Sequence, residues 1–262
     1  MDNVFFSWTG KVEKDDWFHL CLLSLKSVSD CNIFVSSPEL QKGSEELLNS
    51  MGIEVLWFEK KLWDNRRMTC KIERANDLLQ SLPEGDNLMV FDGDMLFLSD
   101  PFEAFENEFD YCYTTRNQKA WAATNGGCWG ARSNKEGKDF MSIFVEQLNN
   151  PTWEPYVNFR MNHPHKKGLE ERDWWVDQDF SCVIHQWREH INNGSLGVDV
   201  KVLDISPKYN FNVSGLSKEE ISEEIKSKRN SVLHFKSGAF DRWADGVNTS
   251  NDRLVKLIGE SL

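Results

Sequence analysis

Residues 87–100 read Asn-Leu-Met-Val-Phe-Asp-Gly-Asp-Met-Leu-Phe-Leu-Ser-Asp. Residues 88–91 are a short apolar run, the pattern of a strand buried on both faces. Asp92 and Asp94 follow with only Gly93 between them. Residues 95–98 resume the apolar run before Ser99-Asp100-Pro101 stops it. Apolar runs on both sides argue for burial of the acidic pair, and a buried carboxylate needs a partner. In open α/β sheets ligands gather at the carboxyl ends of strands. Two carboxylates one residue apart at such an end suit a hard divalent cation such as Mg²⁺ or Mn²⁺. Gly93 lets a bulky ligand come close to the backbone.

Upstream, strand and helix patterns alternate. Residues 3–8 read as a first strand, ending at Thr9-Gly10. Residues 15–28 form an amphipathic helix with Phe18, Leu22 and Leu25 on one face. Residues 32–35 are a second strand, 39–51 a helix closed by Gly52, and 53–58 a third strand. Residues 68–82 form a helix with Lys71 and Arg74 on one face. The aspartate strand is thus the fourth, and the alternation implies right-handed crossovers and a parallel sheet. Downstream, residues 110–114 read as a strand, Asn125-Gly126-Gly127 as a turn into a strand-like run, and 138–148 as a helix. Residues 149–172 lose regular pattern and crowd aromatic and proline residues into a long loop, a usual place for binding loops or lids. A helix over 173–187 carries Asp177-Gln178-Asp179. Residues 200–205 and 231–235 are further strands, and 217–227 and 252–262 further helices.

The chain has 262 residues, with 42 acidic and 30 basic side chains and a formal net charge of −12. That balance disfavours nucleic acid or an anionic membrane as the main partner. It also means that a polyanionic ligand needs a bound cation to be held. No basic leader pattern and no long uncharged apolar segment occurs, so neither a signal peptide nor a membrane span is expected. The six cysteines are scattered without paired short spacing, as reduced core thiols are, and a cytoplasmic protein is expected. The sequons at Asn193, Asn212 and Asn248 are then unused. Eleven tryptophans exceed what a core needs, and exposed tryptophan is a good face for stacking sugars or bases.

His234 ends the run Val232-Leu233-His234 and precedes Phe235-Lys236-Ser237-Gly238. An imidazole beside two carboxylates suits Mn²⁺ better than Mg²⁺, and His234 is the candidate third ligand. With it, four motifs stand in an order that resembles metal-dependent glycosyltransferases of the GT-A fold, most closely the family 8 retaining enzymes. Phe91-Asp92-Gly93-Asp94 resembles their DxD motif. Asn125-Gly126-Gly127 resembles the Asn-x-Gly turn before the sugar-binding strand. Asp177-Gln178-Asp179 resembles the Asp-Gln-Asp that opens a helix under the donor sugar. His234 to Gly238, with Trp243, resembles their His-x-x-Gly-x-x-Lys-Pro-Trp segment. Gly238 comes one residue later than in that pattern, and Asp241-Arg242 stands where Lys-Pro precedes the tryptophan.

The resemblance implies an α/β, Rossmann-like GT-A fold with a mixed, mostly parallel central sheet flanked by helices. It implies one domain over residues 1–262, with a nucleotide-binding half (1–114) and a donor-sugar and acceptor half (115–262). Asp92, Asp94 and His234 are expected to hold Mn²⁺ (or Mg²⁺) against the diphosphate of a nucleotide sugar, UDP being the favoured nucleotide. Ser7, Trp8, Thr9 and Gly93 are expected at the nucleotide. Lys71, Arg74, Lys236 and Gly238, with Arg242, are expected at the diphosphate. Asn125, Gly126, Gly127, Asp177 and Gln178 are expected at the donor sugar, the last two as the catalytic candidates. Trp153, Tyr156 and Trp174 are expected to stack on a glycan or lipid-linked acceptor. Two other classes compete. Val90 to Asp94 also resembles the first motif of haloacid-dehalogenase-type Mg²⁺-dependent phosphohydrolases, which normally lies on the first strand and continues Gly-Thr rather than Met95-Leu96. A non-catalytic sugar- or nucleotide-binding protein is the other.

Overall fold

The computed structural model describes residues 1–10, 12, 16–116, 123–163 and 173–235, excepting the side chains of Asn65 and of residues 173–176. The helix expected over 252–262 lies outside them. Strands β1 (Asp2–Ser7), β2 (Asn32–Ser37), β3 (Glu54–Trp57) and β4 (Asn87–Phe91) alternate with helices α1 (Trp17–Val28), α2 (Ser44–Ser50), α3 (Lys60–Asn65) and α4 (Arg67–Ser81). After β4 come β5 (Met95–Phe97), β6 (Tyr111–Thr115), β7 (Thr124–Arg132), α5 (Lys135–Asn149), α6 (Glu154–Met161), α7 (Asp173–Asn192), β8 (Val202–Asp204), β9 (Phe211–Asn212), α8 (Lys218–Ser227) and β10 (Val232–His234).

Among the described residues the main sheet has the order β3-β2-β1-β4-β7-β6-β8, and a small one the order β5-β10-β9. β3, β2, β1 and β4 are mutually parallel. β7 runs antiparallel between β4 and β6, so the sheet is mixed rather than purely parallel. Successive strand residues face opposite sides, and both sides are covered. Val4, Phe6, Met89 and Phe91 meet α1 and α2 through Phe18, Leu22, Leu25 and Leu48. Phe5, Leu88, Val90 and Trp129 meet α4, α5 and α7 through Ile72, Ala75, Phe140, Phe144 and Phe180. Burial on both faces is why the apolar runs of β1 and β4 are continuous.

Four expectations change. The helix expected over 39–51 shortens to α2, because Gly43 sits in the left-handed region at φ 90° and a helix cannot run through it. The loop expected over 149–172 contains α6, which starts with Pro155 in its first turn, where a missing N–H costs nothing. Asn125-Gly126-Gly127 lies inside β7, not in a turn. Neither α3 nor β9 was expected. None of the six cysteines forms a disulfide, and Cys21, Cys70, Cys112, Cys128 and Cys182 are buried. No described helix is long and apolar enough to cross a membrane.

Candidate active site

In the main sheet β2 and β3 lie on one side of β1, and β4 on the other. The strand order therefore reverses between β1 and β4, and open α/β sheets bind ligands in the crevice at such a point. Asp92 and Asp94 follow the carboxyl end of β4 there, beside Ser7, Trp8 and Thr9 at the end of β1. β5 then pairs antiparallel with β10, with Met95 opposite His234. Phe235 N–H donates to the Asp94 carbonyl at 2.8 Å. This short pairing carries His234 from late in the chain to the acidic pair.

His234 Nε2 lies 3.0 Å from Asp94 Oδ1 and 3.9 Å from Asp92 Oδ2. One donor atom from each of the three residues falls within 4.8 Å of the others. The imidazole is fully buried, and Nε2 makes no hydrogen bond among the described residues despite these short separations. A buried polar atom left so is costly. A divalent cation set between Nε2 and the two carboxylates satisfies it, and a donor set of one imidazole and two carboxylates accepts a first-row dication. The residues present fit the metal that the DxD motif implies.

Lys71 reaches this cluster from α4. Its Nζ donates to Asp92 Oδ1 at 2.7 Å and to the Gly126 carbonyl at 3.0 Å, and the side chain is buried. Burial disfavours the ammonium, but the attraction of Asp92 and Asp177 and the hydrogen bond to Asp92 outweigh it, and its pKa is raised. Arg74, expected beside it, instead pairs with Asp77 of its own helix at 2.9 Å.

Gly126 and Gly127 of β7 let groups from both sheet faces meet. A Cβ on Gly126 would sit 2.2 Å from Asp177 Oδ2. One on Gly127 would sit 2.4 Å from Asp92 Oδ2 and 2.8 Å from His234 Cε1. Glycine inside a strand marks such close approach. The two Gly→Ala variants should therefore fail differently. Gly127→Ala displaces two metal-site residues and should weaken Mn²⁺ binding, read by titration with the ion. Gly126→Ala presses first on the Asp177 carboxylate and should cost less Mn²⁺ affinity than Gly127→Ala while turnover falls about 10²-fold, the cost of a misplacement of order 1 Å.

Asp177, fully buried, opens its carboxylate toward Gly126, and its Oδ1 accepts the Gln178 N–H at 2.8 Å. Gln178 Oε1 accepts from Arg116 at 2.9 Å, a partner that nothing in the sequence pattern marks. Asn125 Oδ1 accepts the Gly127 N–H at 3.1 Å, and its Nδ2 lies 3.1 Å from His234 Nδ1. The space over Gly93, expected to admit a ligand, is taken by Trp8 and Phe18, since a Cβ there would meet their rings at 2.8 and 2.9 Å. Those rings stack at 4.2 Å. Tyr156, expected to stack on an acceptor, is fully buried, with its ring edge-on to Phe180 at 5.0 Å. As placed it offers no face to a sugar, because α6 turns it into the core. Trp153 is half-buried against Phe180 and Trp187. The Trp174 side chain, Lys236, Gly238, Arg242 and Trp243 lie outside the described residues.

A sequence comparison with curated proteins finds no match. Solved structures of similar fold include mouse xyloside xylosyltransferase 1, at 14% identity over 91% of this chain and 99% of that one, with a TM-score of 0.54. The galactosyltransferase LgtC, crystallised with donor and acceptor sugar analogues, is similar at 10% identity over 99% and 96%, TM-score 0.54. The glycosyltransferase GlyE of Streptococcus pneumoniae TIGR4 is similar at 13% identity and TM-score 0.54. That match covers 98% of this chain, which spans 62% of GlyE. At these identities the likeness shows the fold, a GT-A arrangement of the mixed α/β sheet. The nucleotide-diphospho-sugar transferase family matches residues 61–237, a span that holds Lys71, both aspartates, the glycine pair, Asp177 and His234, and the chain belongs to that family of glycosyltransferases, resembling family 8.

Proposed function

We propose that this chain moves a sugar from a nucleoside diphosphate sugar, UDP-linked, to a hydroxyl of a glycan or lipid-linked acceptor, with dependence on Mn²⁺ (or Mg²⁺) and retention at the anomeric carbon. The observation that carries metal dependence is the buried His234 Nε2, without a hydrogen bond among the described residues and 3.0 Å and 3.9 Å from carboxylate oxygens of Asp94 and Asp92. Asp92, Asp94 and His234 would hold the ion, which supplies Lewis-acid stabilisation of the charge on the departing nucleoside diphosphate. Mn²⁺ is preferred because imidazole is softer than an all-oxygen shell. Lys71 holds Asp92 in place and offsets its charge and that of Asp177. Asp177, beside Gly126, faces the anomeric carbon and supports positive charge developing there. Asn125 and Gln178 orient the sugar hydroxyls, and Ser7, Trp8 and Thr9 meet the base and ribose. With Tyr156 assigned to the core, Trp153 is the acceptor platform among the described side chains, beside the candidate Trp174. Retention rests on the likeness to family 8.

Neither alternative is favoured. The family match is to a transferase, and Asp92 follows a fourth strand rather than a first. The test is a panel of nucleotide sugars, with released nucleoside diphosphate measured under Mn²⁺, Mg²⁺ or EDTA. Release from a UDP-sugar is expected, faster with Mn²⁺. Chelation should cut it about 10³-fold, the equivalent of several kcal/mol of charge stabilisation, and added Mn²⁺ should restore it. EDTA-insensitive release would remove the metal from the reading. Turnover of p-nitrophenyl phosphate with no release from any donor would favour a phosphohydrolase.

A further inference from the structure

His234 Nδ1 faces two amides that make opposite demands on it. Asn210 Oδ1 lies 2.8 Å away and Asn125 Nδ2 lies 3.1 Å away. One ring nitrogen either donates or accepts, so only one contact can be a hydrogen bond at a time. Each amide is oriented by backbone. Thr114 Oγ1 donates to the Cys128 carbonyl at 3.0 Å. Its oxygen therefore accepts from Asn210 Nδ2, at 2.6 Å, which turns Asn210 Oδ1 toward the ring. The Gly127 N–H fixes Asn125 Oδ1 at 3.1 Å and turns Asn125 Nδ2 toward the same nitrogen. All four side chains are buried, so water does not arbitrate.

We propose that Asn210, aligned by Thr114, is a positioning residue that holds the His234 proton on Nδ1 and so leaves the Nε2 lone pair to a divalent cation, against the opposite bias of Asn125. The proposal rests on the metal reading of Asp92, Asp94 and His234. With the proton on Nδ1, Nε2 presents an electron pair beside Asp94 and Asp92, a repulsion that Asn210 sustains in the metal-free protein and a cation relieves. With the proton on Nε2, the ring donates toward the carboxylates and cannot ligate. Partners on the far nitrogen of a ligating histidine set its tautomer and orientation, and their loss commonly costs 10- to 100-fold in metal affinity. Asn210 has the shorter contact, and it is the one that prepares the site.

The test uses the full chain labelled with ¹⁵N-histidine, together with Mn²⁺ alone titrated by the EPR signal of the free ion. Wild type without metal should show the His234 tautomer protonated at Nδ1. Asn210→Ala should move the proton to Nε2 and weaken Mn²⁺ binding 10- to 100-fold with unfolding temperature near wild type. Adding Asn125→Ala to Asn210→Ala removes the opposing donor and should recover part of the affinity, which a purely structural role for Asn210 would not do. A wild-type tautomer protonated at Nε2, or Asn210→Ala binding Mn²⁺ within twofold of wild type, would overturn the proposal. Absence of Mn²⁺ binding by wild type would sink the metal reading instead, and the tautomer measurement would still judge Asn210.

Discussion

Lys71→Met is expected to destabilise the metal-free protein by about 3 kcal/mol, the lower end of what removing one partner of a buried ion pair costs. Methionine keeps the length and most of the volume of the side chain, so the loss is one of charge. What it leaves behind is Asp92, whose side chain is 29% exposed, and the fully buried Asp177, both without the attraction of the Lys71 ammonium. Two comparisons isolate the charge. Lys71→Met combined with Asp92→Asn should recover much of the lost stability, since the double variant no longer leaves a carboxylate facing the vacated site. Mn²⁺ should stabilise Lys71→Met more than wild type, because the ion offers the cluster a positive charge that the variant lacks. The raised lysine pKa also sets a pH window. The stabilisation is complete below the unfolded lysine value of about 10.4 and is lost only as the pH rises through the higher folded value, so at neutral pH it does not vary. Chemical denaturation at pH 7 and above pH 10 measures both. Equal stability of Lys71→Met and wild type at pH 7 would mean that the Lys71–Asp92 contact contributes nothing net.

The parts of this site legible in the sequence are those that obey a local rule. β4 announces itself because burial on both faces demands an unbroken apolar run, and the aspartates announce themselves because nothing else explains charge inside one. His234 obeys no local rule. Its nearness to Asp94 depends on the register of a three-residue pairing between β5 and β10, which periodicity cannot resolve, and it was reached through the likeness of ordered motifs. Asn125-Gly126-Gly127 reads as a turn and lies in a strand because the same residue types serve turns and close approach. Only Asp177 on one side and Asp92 on the other show which is meant. Lys71 and Arg74 looked alike on one helix face, yet tertiary packing sends one into the site and the other to Asp77. Asn210 and Thr114 carry no signal at all, since a buried amide acting through a histidine has no spacing to betray it.

Asp94→Ala should abolish turnover, by about 10³-fold or more, while the metal-free protein melts at or above the wild-type temperature. The first half follows from the donor set. Removing one carboxylate from a site of two carboxylates and an imidazole withdraws both affinity and the charge stabilisation that the ion supplies, worth several kcal/mol. The second half follows from what Asp94 does in the fold. Its hold on β10 runs through its backbone carbonyl, which accepts from Phe235 N–H in any variant. Its carboxylate, 24% exposed, adds negative charge beside Asp92 at a cluster whose nearby cation, Lys71, is already bonded to Asp92. Deleting it relieves repulsion between like charges. The variant thus moves stability and activity in opposite directions, whereas Lys71→Met lowers stability. Thermal melting without metal, paired with donor turnover under Mn²⁺, separates the two. A variant that melts early and turns over slowly would make Asp94 a structural residue. One that turns over at the wild-type rate would leave the dication without the grip of this site, and with it the assignment of Asp92 and His234.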